Sequence, residues 1–130
     1  MSVEIRQNPY PAPSEFSALW QDAWGAPFAG DTGAIWSRSL AHFGAYEGER
    51  LVGYVNLAWD GGVHAFLLDT MVHPQRRRRG IATRLVEAAA ITAREQGVQW
   101  LHVDYEPQLQ SFYEGCGFRP TLAGLIPLGG

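Results

Sequence analysis

The residues best placed to do chemistry are four consecutive arginines, Arg76, Arg77, Arg78 and Arg79, with Gly80 and Ala82 directly after them. They follow the apolar run Leu67–Val72, which reads as a buried strand, and a turn opened by Pro74. They precede a helical pattern running from about Gly80 to Gly97. The run therefore falls at a helix N-terminus. That end carries about half a positive charge and up to four N–H groups without acceptors, so each cation there opposes stability by roughly a few tenths of a kcal/mol. A bound polyanion reverses the sign: the N–H groups meet phosphate oxygens and the guanidiniums neutralise them. Small residues at 80 and 82 let the backbone come close to such a ligand. A solvated basic turn is the alternative reading of an arginine run.

Val72-His73-Pro74-Gln75-Arg76-Arg77-Arg78-Arg79-Gly80-Ile81-Ala82 resembles the signature motif of the GNAT superfamily of acyl-CoA-dependent N-acetyltransferases. The core of that motif, Q/R-x-x-G-x-G/A, falls on Arg77 to Ala82. A second stretch, Ser111-Phe112-Tyr113-Glu114-Gly115-Cys116-Gly117-Phe118, is similar to the family's F-Y-E-x-x-G-F segment. No G-x-G-x-x-G fingerprint and no Gly-Lys-Ser/Thr of a P-loop is present.

The resemblance implies acetyl-CoA as cosubstrate, with its pyrophosphate on the backbone amides of the arginine turn. It places cofactor contacts at Met71, Val72, Arg77, Arg78, Arg79, Gly80, Ala82, Thr83 and Glu106, the last standing where the family often has an asparagine. It implies that the strands flanking the signature helix splay, leaving backbone groups near Met71 and Val72 for the pantetheine arm. Tyr113 takes the place of the tyrosine that protonates the departing thiolate, with simple packing between Phe112 and Phe118 as the alternative. The glutamate that many relatives use as base falls on Leu68, and the acid or histidine two residues earlier on Phe66, so the usual base is missing. Asp69 is the substitute, acting through water if a bulge redirects it, with burial raising its pKa. Asp104, Glu106, His102 and His64 compete for that role, and Asp69 also reads as an acceptor for a backbone N–H. Phe28 and Trp36, on the two early helices, are candidates for an aromatic acceptor wall, with core packing as the alternative. Acidic Asp104 and Glu106 near the mouth would attract a cationic amine.

Ten basic residues, all arginine, stand against thirteen acidic ones, giving a net charge of −3. With four of those ten consecutive, the positive charge is local, which suits a small anionic cofactor and argues against a nucleic-acid track. At 46% hydrophobic and 18% charged, the 130 residues read as one packed domain, 1–130. One cysteine, Cys116, rules out an intramolecular disulfide and reads as a structural thiol. No apolar run approaches the roughly 18 residues of a membrane span, and no leader pattern opens the chain. The expectation is a soluble cytoplasmic protein, compatible with a homodimer. The four histidines lack ligand spacing, so no metal is expected.

The positioning elements read as follows. Val3 and Ile5 begin a short strand. Ser14 is the expected cap of a helix through Trp24, with Phe16, Trp20 and Trp24 on one stripe. Asp31 or Thr32 caps a second helix over Ala34 to Ala41. His42–Tyr46 and Leu51–Trp59 form a hairpin around Glu47-Gly48-Glu49-Arg50, with Leu51, Gly53, Val55 and Leu57 on one face. His64 to Val72 is the next strand and Val98 to Tyr105 its parallel partner across the helix. Ile91 falls on that helix's polar side without an explanation. Phe118 to Leu128 gives one closing strand or two short ones. The fold class is α+β, a GNAT-like, mostly antiparallel mixed sheet with a central parallel pair and helices on both faces. The activity implied is direct acetyl transfer to a small-molecule or peptide amine. A CoA-binding regulatory module that has lost turnover is the second hypothesis, and nucleic-acid binding through the arginines is the third.

Overall fold

The computed structural model describes residues 2–129. Five strands form one sheet in the order β1 (Glu4–Gln7), β2 (Ser39–Glu47), β3 (Arg50–Trp59), β4 (His64–Val72) and β5 (Trp100–His102). Neighbours are antiparallel except β4 and β5, which run parallel. Helix α3 (Ile81–Glu95) covers one face, packing Ile81, Leu85, Val86 and Ala89 onto Val55, Leu57, Ala65 and Leu67. On the other face, α1 (Pro13–Trp24) and α2 (Thr32–Trp36) enclose a second core of Phe16, Leu19, Tyr46, Leu51, Tyr54 and Met71. The expected mixed sheet with helices on both faces is thus present. Helix α4 (Gln110–Gly115) follows β5.

Gly53 sets where α3 begins. A Cβ there would lie 3.1 Å from both Ile81 Cγ2 and Leu85 Cδ1, so only glycine lets the first turns of α3 rest on β3. The same residue pairs with Val72, which ties the helix N-terminus to the end of β4. At the far end Gly97, at φ 86°, follows the helix as expected for a left-handed terminator.

Two register slips correct the simple alternation. Tyr46 pairs with Leu51 but Ala45 pairs with Gly53, so Val52 is an extra residue. Leu51 therefore joins the α1 core while Gly53 faces α3, and the expected aliphatic face is divided between the two sides. On β4, Tyr54 pairs with Met71 and Asn56 with Leu68, so the single Val55 faces both Asp69 and Thr70.

Other boundaries move for local reasons. Helix α1 is capped by Ala12 with Pro13 in its first turn; proline's fixed φ and missing N–H suit that place, and Ser14 lies inside the helix. Asp31 caps α2 by accepting from Ala34 N–H at 3.3 Å. That helix ends at Trp36, short of Ala41, because the hydroxyls of Ser37 and Ser39 take the carbonyls of Ala34 and Ile35. Strand β5 stops at His102, because β4 bends at its bulge and leaves residues 103–105 without a partner. The closing strand expected over Phe118–Leu128 is absent. Pro120 and Pro127 remove ladder donors, and Leu122, Leu125, Ile126 and Leu128 stand exposed.

Candidate active site

Strand β4 has two neighbours only over His64–Phe66; from Leu67 to Val72 it pairs with β3 alone. His73 N–H donates to the Val52 carbonyl at 2.8 Å. By the alternation of an antiparallel ladder, the N–H and C=O of Val72 then point away from β3 into the open side, while those of Met71 turn into the ladder. Open backbone is thus present at Val72, and Met71 contributes instead a side chain buried beside Tyr54. The Val72 carbonyl is met by Arg77 Nε at 3.3 Å, which leaves its amide facing the gap.

Beside that amide lies the arginine turn. Arg78 and Gly80 both adopt left-handed conformations, at φ 65° and 76°. Gly80 is the N-cap of α3 and brings no side-chain acceptor. The first intrahelical bond runs from Arg84 N–H to the Gly80 carbonyl, at 3.1 Å, so the amides of Ile81, Ala82 and Thr83 have no acceptor within the helix. Backbone that turns through left-handed residues into a helix N-terminus forms a concavity for anionic oxygens.

The four arginines divide in two. Arg76 forms a two-point ion pair with the buried Glu47, Nη2 to Oε1 at 2.8 Å and Nε to Oε2 at 2.9 Å, and its guanidinium holds that carboxyl below the ordinary range. Arg77, expected to contact the cofactor, spends its guanidinium on the carbonyls of Val72 and Ala23, the latter at 3.2 Å, joining the turn to α1. Arg78 and Arg79 are exposed and make no ion pair among the described residues.

The bulge on β4 carries Asp69 at φ 56°, a left-handed conformation that Asp tolerates better than most residues. Burial alone pushes its carboxyl above the usual range, with no hydrogen bond or cation to offset it, so the reading as a backbone acceptor gains no support. Its charge is felt by the Tyr54 phenol, on the α1 and α2 side of the sheet. Tyr113 belongs to the opposite, α3-side core. It stacks on Tyr105 at 4.9 Å between ring centroids and packs edge-on to Phe112 and Phe118. Burial raises its pKa, interaction with Thr70 partly offsets this, and Asp104 adds to the rise. Acid and base candidates thus approach the open part of β4 from opposite faces, through the adjacent residues Asp69 and Thr70.

The remaining candidates lie around this centre. Trp36 stacks flat on buried His42 at 4.2 Å and donates from Nε1 to the Tyr54 hydroxyl at 2.8 Å. Phe28 packs edge-on to Phe16 and lines a separate cavity of about 230 Å³ with Pro13 and Asp31. Both rings are held by packing. Asp104 is exposed just beyond β5, and Glu106 accepts from Gln108 Nε2 at 2.7 Å. His64 and His102 meet ring nitrogen to ring nitrogen at 2.8 Å, and Phe66 stacks on His102. Ile91 is exposed beside a second cavity, about 340 Å³, shared with Ile5 and Phe43. Thr70, Tyr105 and Glu47 carry no sequence signal for their parts in the site. Each becomes visible only through a partner distant in the chain.

This geometry has counterparts. A model described as the acetyltransferase (GNAT) family matches residues 3–118. The mycothiol acetyltransferase of Mycobacterium marinum is 40% identical over 74 residues, which is 57% of this chain and 23% of that protein. The chain therefore spans about a quarter of the curated relatives it matches. The fold resembles that of a GNAT-family acetyltransferase from Streptococcus pneumoniae TIGR4, with TM-score 0.82, 21% identity and 98% of each chain covered. It also resembles the aminoglycoside N-acetyltransferase AAC(6')-Iy solved with CoA, with TM-score 0.77, 20% identity, and 98% of this chain and 95% of that one covered. No helix among the described residues is long and apolar enough to cross a membrane. The family match spans most of the length and includes both the arginine turn and the Tyr113 segment, so this chain belongs to the acetyltransferase (GNAT) family.

Proposed function

We propose that residues 1–130 form an acetyl-CoA-dependent N-acetyltransferase domain that transfers the acetyl group directly to an amine. The observation that carries this reading is the coincidence of unpaired β4 edge and uncapped α3 N-terminus, joined by Val72 and the left-handed Arg78–Gly80 turn. The fit to a CoA pyrophosphate rests on the amides of Ile81, Ala82 and Thr83 and on exposed Arg78 and Arg79. When bound, acetyl-CoA supplies an activated acetyl thioester. The chain's own residues then hold and move protons. Asp69, kept partly protonated by burial, accepts the proton of the incoming amine, directly or through a water. Tyr113 Oη, a phenol kept protonated at neutral pH, delivers a proton to the departing sulfur. One C–N bond forms, one C–S bond breaks, and the two protons balance.

The acceptor is read as a cationic small-molecule or peptide amine, drawn by Asp69 and Asp104. The single thiol, half-buried Cys116, suits a reducing cytoplasm. A CoA-binding module without turnover is favoured by one observation: the positions of the usual base are the exposed apolar side chains Leu68 and Phe66.

Calorimetric titration with acetyl-CoA tests the reading. The wild type binds, and Gly80→Glu weakens binding by about tenfold or more, roughly 1.4 kcal/mol, because a carboxylate enters an anion cradle. Nothing lies within 4 Å of a Cβ at Gly80, so the substitution strains the backbone without a clash, and a thermal melt of the variant checks its fold. A wild type that does not bind sinks both readings. Binding without amine-dependent thiol release selects the regulatory module.

A further inference from the structure

Residues 120–129 contain no charged side chain, yet Leu122, Leu125, Ile126 and Leu128 are 81–104% exposed. An arm of that composition touching nothing of its own chain is a surface awaiting a partner. Strand β5 ends the sheet, so its outer edge carries backbone donors and acceptors with no strand beside them. Its sequence, Trp100-Leu101-His102, has no Lys, Arg, Asp or Glu to deter pairing, and Trp100 is 55% exposed. The opposite edge is protected: β1 carries Glu4 and Arg6, and Arg84 donates to the neighbouring Val3 carbonyl at 2.8 Å. Thr121 to Ile126 is free of proline between Pro120 and Pro127, the length of an ordinary strand.

We infer that the 121–126 segment of one copy adds as a strand to the free edge of β5 in a second copy, and that the exchange is reciprocal. The occupant is a second copy because each chain carries both an uncovered apolar arm and an unpaired, uncharged edge, so one two-fold operation satisfies both at once. Intramolecular docking would show the arm against its own β5, whereas Leu122 and Leu128 are 104% and 93% exposed. Pairing on β5 also fixes the strand that bounds the open side of β4. The inference does not depend on the acyl-transfer reading.

Sedimentation equilibrium across micromolar concentrations, combined with amide hydrogen exchange, tests it. The expected result is a dimer in which the amides of 101–103 and 121–126 are protected together and lose protection together on dilution. Leu122→Asp combined with Ile126→Asp raises the dimer dissociation constant about a hundredfold or more, as expected when buried anchors become charged. Ile91→Asp, which alters an exposed apolar residue elsewhere, leaves the constant unchanged. The arm makes no contact with the body of its own chain, so the double variant keeps its melting behaviour as a monomer. Three outcomes overturn the inference: a monomer at every concentration, arm amides protected in a monomer, or a dimer indifferent to the double variant.

Discussion

The two halves of β4 share a strand, a neighbour in β3 and a mostly apolar composition, yet only the first half is also paired with β5. In His64–Phe66 the backbone is used on both sides, and nothing is left to recognise a ligand. In Leu67–Val72 a single bulge moves Asp69 into a left-handed conformation, ends the pairing with β5 and turns the Val72 amide toward open space. The same strand is scaffold at one end and candidate catalyst at the other. The difference lies in which hydrogen bonds the sheet declines to make.

Titratable groups follow the same division. Within the closed sheet, buried His42 is engaged: Tyr10 N–H donates to its Nε2 at 3.1 Å, Trp36 stacks on it, and burial lowers its pKa to about 4. At the open half, Asp69 is raised by burial and has no compensating partner. The first pattern belongs to a structural group and the second to a functional one.

The comparison is broken most directly by removing the open half's proton carriers. Asp69→Asn keeps a residue tolerant of the left-handed conformation while deleting a poorly solvated charge, so thermal stability holds or rises. Turnover with a competent amine falls roughly 10²–10⁴-fold, the usual range for a general base. Tyr113→Phe gives a similar loss with little change in acetyl-CoA affinity. Steady-state kinetics beside thermal melts check both, and unchanged turnover in Asp69→Asn returns the base role to His64, His102, Asp104 or Glu106.

The closed half is tested by pH. The folded pKa of His42 lies below the ordinary value near 6.5, so the unfolded chain takes up a proton first as pH falls. Stability contributed by neutral His42 is complete above about pH 6.5 and is lost on descending toward pH 4, by an amount on the order of 2 kcal/mol. Urea unfolding at several pH values should show that slope in the wild type and a shallower one in His42→Gln.

The smallest effect sharpens the division within the arginine run. Arg76→Met leaves Glu47 without its cation and lowers the melting temperature while changing acetyl-CoA affinity little. Arg79→Met does the reverse, weakening acetyl-CoA by about tenfold, in line with the loss of one charge-assisted contact. Equal effects of the two substitutions on affinity would remove the distinction between structural and ligand-facing arginines.

The strand–turn–helix unit from Leu67 to Gly97 was legible because its signals are local: Pro74, the arginines, Gly80, the apolar period of α3 and Gly97. The β2–β3 hairpin was equally readable, from Gly48 between two apolar runs. Elements whose ends depend on remote partners were not. The short α2 and the truncated β5 each answer to neighbours distant in the chain, and the C-terminal arm has no neighbour at all in its own chain. The bulge at Asp69 could be posed as a condition but not located by alternation, because it exists only in the register of β4 against β3.

By itself, then, the sequence determined that a cationic, glycine-bearing turn opens an amphipathic helix after a buried strand, and that a tyrosine follows in a second matching segment. Those are properties of neighbouring residues, where backbone preference and side-chain period act within a few positions. The tertiary structure decided which arginines remain available, since Glu47 and Ala23 claim Arg76 and Arg77 from 29 and 54 positions away. It also decided where the sheet opens. Strand pairing is a sum of long-range contacts, and a one-residue slip in that sum changes which backbone groups and which carboxylate face the gap.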